Sequence, residues 1–101
     1  MEIVAADPRV AEIAGGRRHS ISIGDFVWRT SGREVLGGTA YVSFDEPFTY
    51  EGDWPSVTIV VSEGTDPPFR EVEVYYRAEG IERLRVLVYL PEDRVVEIAP
   101  D

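Results

Sequence analysis

Residues 38–64 read GTAYVSFDEPFTYEGDWPSVTIVVSEG, and the fold class turns on them. Both ends alternate with a period of two. Ala40, Val42 and Phe44 share one face, with Tyr41 and Ser43 on the other; Val57, Ile59 and Val61 share a face opposed by Thr58 and Ser62. Successive strand residues point to opposite faces, so each end predicts a half-buried β-strand. Residues 45–55 between them predict a loop, because Pro47, Gly52 and Pro55 interrupt pairing. That segment gathers Phe48, Tyr50 and Trp54 beside Asp45, Glu46, Glu51 and Asp53.

Moving outward, the same period recurs. In residues 69–78, Val72, Val74, Tyr76 and Ala78 share a face against Glu71, Glu73, Tyr75 and Arg77. Glu79-Gly80 predicts a turn, after which Leu84, Val86, Val88 and Leu90 face inward and Arg83, Arg85, Leu87 and Tyr89 outward. For both inward sets to coincide in a hairpin, its loop needs an odd number of residues. Residues 63–68, with two prolines, predict a polar loop; 91–94 predict a turn and 95–99 a last short strand. Residues 18–30 predict a strand with a defect: Ile21 and Ile23 are odd, Phe26 and Trp28 even, and a bulge at Gly24-Asp25 would return both pairs to the core. Residues 30–32 predict a turn, and Gly37-Gly38 a second bend.

Residues 1–17 form a separate arm or short helix. Residues 2–6 suit a short strand or extended arm. Asp7-Pro8 opens a helix as N-cap and first helical residue, and Gly15-Gly16 stops it. About two turns are marginal unless packed on something: the segment either lids one end of the domain or docks on a neighbouring subunit. Residues 18–101 then form one domain, an all-β, small antiparallel β-sandwich of jelly-roll type with six or seven strands.

Composition narrows the function. The chain has 101 residues, 19 acidic and 10 basic, a net charge of −9, no Cys and no Lys. Such a charge repels phosphate, so nucleic acid is not an expected partner. No apolar run reaches the ~20 residues of a membrane span, and the first residues carry no signal-peptide pattern. Thiol chemistry is excluded and no cofactor is expected. No phosphate loop, dinucleotide fingerprint, HExxH or CxxC occurs, and the acidic segment lacks EF-hand spacing, so no metal is assigned. His19, the sole histidine, neighbours Ser20, but adjacent strand residues diverge, which argues against a triad. The run Arg17-Arg18-His19 is the one basic cluster; it suits either an acidic partner surface or a solvated strand entry. Paired carboxylates for glycoside hydrolysis would need a cleft that so short a sandwich seldom builds. The chain therefore reads as a non-enzyme.

Two binding surfaces are expected. Tyr50 and Trp54 could stack on a sugar ring while Asp53 accepts from its hydroxyls; alternatively, the large aromatics cap the sandwich. Tyr75, Leu87 and Tyr89, with Val60, fall on faces expected to be wet and could form a contiguous apolar patch, the mark of a subunit interface. Glu71 and Glu73 would pair with Arg83 and Arg85 across strands or subunits.

Residues 41–61 resemble the H-type lectin domain and related modules at phage tail-fibre tips. Those domains show V-x-F-x-x-P-F, a short loop, then P-x-V-x-V; here Val42, Phe44, Pro47 and Phe48 are followed by Pro55, Val57 and Ile59. Near the end, Val96, Ile98 and Ala99 stand where the family has V-x-W-x-A, with different spacing and no Trp. The resemblance implies a sandwich that assembles as a trimer or hexamer. Together with the apolar patch and the lack of a catalytic constellation, it points to a structural protein of a phage or phage-like virion, as capsid decoration, minor tail or fibre-tip component. Its partners would be its own copies and other virion proteins. The alternative is an H-type-lectin-like carbohydrate-binding protein for a cell-surface glycan, cytoplasmic or secreted rather than in a virion.

Overall fold

The computed structural model describes residues 2–30, 34–59 and 69–101. Two short helices, α1 (Glu2–Ala6) and α2 (Pro8–Ala14), precede four strands: β1 (His19–Thr30), β2 (Glu34–Ile59), β3 (Phe69–Tyr89) and β4 (Arg94–Pro100). They form one antiparallel sheet in the order β1-β2-β3-β4. The chain is all-β in its bulk. A single 3-10 turn, Leu90–Glu92, joins the last two strands and is closed by Asp93 at φ 49°.

Strand length dictates the architecture. At ~3.3 Å per residue, a 26-residue strand laid straight would run to roughly 85 Å, whereas the longest dimension of the molecule is 42 Å. The β2–β3 hairpin must bend. Pairing shifts twice, between Ser43↔Arg83 and Phe48↔Ile81 and again before Tyr50↔Ala78. Pro47 lies in the first excursion, where its missing N–H breaks no ladder bond. Gly80 lies in the second, at φ +65° with open space around it. The upper halves of β2 and β3 pair with β1 and β4; beyond the bend, β2 and β3 continue as a two-stranded ribbon from Phe48↔Ile81 to Ile59↔Phe69.

This corrects two expectations. Residues 45–55 are strand, not loop, because the ribbon keeps the period of two through Phe48, Tyr50, Gly52 and Trp54. Pro55 sits opposite Glu73 without damage for a directional reason. The N–H of Val57, two residues on, turns away from β3 and donates to Glu97 Oε2 at 3.1 Å, so the Pro55 nitrogen also lies on the side away from β3. Second, Glu79-Gly80 is no turn: β3 runs through it, and the hairpin expected there does not exist. Glu71 and Glu73 therefore cannot reach Arg83 and Arg85 along one strand. Glu71 instead pairs with Arg94, Arg83 with Asp101 and Arg85 with Glu97.

The core lies between the helices and the sheet. Val4, Val10 and Ile13 pack on Ala40, Val42, Leu84, Val86, Val88, Val95 and Ile98, with Phe48, Trp54 and Ile81 added from the bend and ribbon. The segment 2–14 thus lids its own sheet. Residues 2–6 are helical rather than extended, while α2 begins and ends as its sequence requires. Asp7 Oδ1 accepts from the N–H of Arg9 (2.8 Å) and Val10 (3.2 Å), and Gly15 closes the helix in the left-handed region. A bulge at Val96 lets Val95 and Ile98, of opposite parity, both face the core, and Val96 joins Tyr89 in a second small cluster on the back of the sheet, flanked by Val57 and Leu87.

The defect expected in β1 is present, as a shift between Ile23↔Ala40 and Val27↔Gly38. Gly24 is required there, since a Cβ would stand 2.9 Å from the Thr39 carbonyl oxygen. Ile23 is not returned to the core but is 74% exposed, and Leu90 leaves the strand for the 3-10 turn and is exposed rather than inward. The Phe26 and Trp28 side chains, the turn at 31–32, Val60 and the loop at 63–68 lie outside the described residues.

Two substitutions test this scheme. Gly80→Ala should cost about 1 kcal/mol, because a Cβ is disfavoured at positive φ, with Gly80→Asn milder. Asp7→Ala should cost ~1 kcal/mol through the lost cap. Urea midpoints at constant slope would measure both.

Candidate functional site

The ribbon carries most of the residues singled out for function, and its pleat decides which can act together. Tyr50, Gly52 and Trp54 are on one face of β2; Glu51 and Asp53 are on the other. Trp54 is 1% exposed. Its indole N–H donates to the Tyr76 carbonyl at 3.2 Å. The Tyr76 ring stacks on it at 5.1 Å and 14°, and the Tyr50 ring meets it edge-on at 5.3 Å and 89°. Gly52 leaves room for the Tyr50 phenol, whose oxygen would lie 2.7 Å from a Cβ at that position.

The expected sugar platform is therefore not assembled. Trp54 has no open ring face, and Asp53 points away from Tyr50 and Trp54, opposite Tyr75 on β3. Of the two alternatives, the aromatics act as a cap: Trp54 seals the core beneath the ribbon. Burial pushes the Tyr50 hydroxyl above its ordinary value of 10.0, with Glu12, Asp53 and Tyr75 adding to the effect. Burial also raises Tyr76, helped by Glu97.

The expected apolar patch of Tyr75, Leu87 and Tyr89 is not assembled either. All three are on β3, with the bend between Tyr75 and the other two. Tyr89 is buried with Val96 and Leu87 is half-buried, both under the back cluster. Tyr75 alone is open, at 66%. On the opposite face of β3, Val72 (40%) and Val74 (45%), residues expected to face the core, are also exposed. They alternate with charges as core-facing residues do, but β3 is an edge strand in the ribbon, while Trp54, across from Val74 on the same face, is buried. No signal in the sequence marks that difference.

Several other polar groups are occupied locally. Arg17 lies over the Phe48 ring at 4.3 Å and donates to the Ala14 carbonyl. Arg18 faces Asp45 at 3.9 Å, and His19 Nδ1 donates to the Arg17 carbonyl at 2.7 Å. Arg17, Arg18 and Asp45, with Glu46 and Pro47, border an open groove of about 420 Å³. A second open groove of about 440 Å³ lies where the ribbon meets β4, bordered by Arg9, Pro55, Glu71, Glu73, Arg94 and Val96. Arg94 bridges Glu71 (2.6 Å) and Glu92 (2.7 Å) there. Glu97, unremarked in the sequence, ties ribbon to sheet by accepting from the Ser56 hydroxyl (3.3 Å) and the Val57 N–H. Among the described residues, no three His, Asp or Glu side chains stand together as metal ligands, and no described helix is long and apolar enough to cross a membrane.

No protein-family model, curated protein or solved structure matches the chain.

Trp54→Ala should lose ~3–5 kcal/mol, the usual range for a buried aromatic, and Trp54→Phe clearly less, by urea unfolding. The tyrosines predict alkaline sensitivity. Their folded pKa values are raised, so their contribution is intact below the unfolded value near 10 and is lost as pH climbs through the folded values. Tyr50→Phe or Tyr76→Phe should move the alkaline unfolding midpoint upward, followed by circular dichroism.

Proposed function

We propose that this chain is a non-enzymatic assembly protein of a repetitive particle, working by docking on copies of itself and on other components of that particle. The observation that carries the reading is the ribbon. Val72 and Val74 are exposed on one face of the two-stranded ribbon and Tyr75 on the other, and the ribbon is fixed to the body by Trp54 and Glu97. Exposed apolar side chains beside an open strand edge are suited to burial against another surface. The two grooves are open and bordered by ion-paired side chains, which suits a surface rather than a reaction chamber.

The virion setting rests on the resemblance of residues 41–61 to phage tail-fibre-tip modules, and that resemblance favours a trimer or hexamer. In this reading the bent ribbon serves as the second layer of a small sandwich, with the four-stranded body as the first. The carbohydrate alternative draws less support, since Trp54 is covered and Asp53 faces the opposite side.

Sedimentation velocity over a wide concentration range tests the proposal. A closed oligomer is expected. A chain that stays monomeric throughout, or one that turns over a substrate and loses that turnover on a single side-chain change, would sink it.

A further inference from the structure

Beyond the bend, the outer edge of β3 is open and in unbroken register from Phe69 to Ala78. β4 joins β3 only from Leu84 to Tyr89, and no described strand pairs on that side over residues 69–83. The other three edges are blunted. Along β2 beyond Phe44, Pro55 turns a nitrogen with no N–H outward and the Val57 N–H is taken by Glu97. β1 carries two register shifts, and β4 is short, with its Val95 carbonyl accepting from Arg9. Open, regular edges are templates for another strand.

The direction of the edge follows from one hydrogen bond. Val57 turns its N–H away from β3, and in an antiparallel ladder the residue opposite does likewise. That residue is Glu71. Glu71, Glu73, Tyr75 and Arg77 therefore present their backbone N–H and C=O groups outward, while Val72, Val74 and Tyr76 direct theirs to β2.

We propose that a second copy of this chain pairs on this edge, β3 against β3, antiparallel and centred on Val74. The inference rests on the assembly reading above and names the contact it would use. Symmetry limits the registers. Two identical antiparallel strands related by a two-fold axis pair residue i with a residue of the same parity, so the centre falls on a residue. Centring on Glu73 sets that carboxylate against its own copy. Centring on Val72 opposes Glu71 to Glu73; on Tyr75, Glu71 to Glu79; on Tyr76, Glu73 to Glu79; and on Arg77, two guanidinium groups. Centring on Val74 creates no like-charge pair. It sets Glu71, which meets Arg94 in its own chain, twice against Arg77, which meets Glu79 in its own; Val72 against Tyr76 twice, Glu73 against Tyr75 twice, and Val74 against Val74 on the axis. Opposite charges and apolar pairs directly across are the favourable cross-strand combinations. The contact makes a dimer, or joins two trimers into a hexamer.

The chain has no Cys, so a single introduced thiol reports this geometry alone. Val74 would sit in a non-hydrogen-bonded pair with its copy, where Cα atoms are ~4.5 Å apart and a disulfide can close. Val74→Cys should oxidise to a covalent dimer on a non-reducing gel. Val72→Cys, equally exposed but off the axis, should not. Val74→Arg should abolish the two-fold contact in sedimentation while circular dichroism stays native. Equal cross-linking at both positions, or none at Val74→Cys, overturns the contact. So does a plain trimer, which has no two-fold axis, although that outcome leaves the assembly reading standing.

Discussion

The fold depends on the bend of the β2–β3 hairpin. Two strands of 26 and 21 residues cannot lie flat in a body this small. The bend lets one hairpin supply both the middle of the sheet and the ribbon beyond it. Trp54 holds the ribbon at its middle by filling the core, stacking on Tyr76 and donating to the Tyr76 carbonyl. Glu97 holds it from β4 through Ser56 and the Val57 N–H. The first is mainly apolar burial, worth a few kcal/mol for a side chain of this size. The second is a charge-assisted bond that satisfies a backbone donor on an otherwise open strand edge.

The charges are arranged around this frame rather than at a reactive centre. Arg94 between Glu71 and Glu92, Arg83 with Asp101 and Arg85 with Glu97 join neighbouring strands at the surface. Exposed pairs of this kind contribute little each, about 0–1 kcal/mol, so their main effect is on register and on partner choice. With a net charge of −9, two copies repel at long range. Any self-contact must therefore bring opposite charges together locally, which Glu71 and Arg77 on the open edge of β3 can do.

Much of the fold was legible locally. Asp7, Pro8 and Gly15 marked α2 because caps are set by the nearest backbone groups. Alternation marked strands at 38–44, 69–78 and 84–89, and the odd-to-even change in residues 18–30 marked the β1 irregularity. The sites were less legible. Tyr50, Asp53 and Trp54 are adjacent in sequence, yet the pleat parts Asp53 from the other two. Leu87 and Tyr89 alternate as wet residues do, yet the Val96 bulge and Val57 cover them.

What the sequence by itself determined is the kind of element: strand or helix, and where a helix begins, since propensity, caps and alternation act within a few residues. Tertiary structure decided where elements end and which faces are covered. Pro55 is tolerated inside a paired strand because its nitrogen lies on the side away from β3. Gly80 continues β3 instead of turning it because its positive φ fits the excursion beside Phe48 and Tyr50. Val74 is exposed and Val86 buried, although both alternate with charges on the same strand. Val86 lies between Ala40 and Ile98 inside the sheet, whereas Val74 lies on the edge strand of the ribbon, and which stretch of β3 is flanked on both sides is fixed by contacts among residues far apart in the chain.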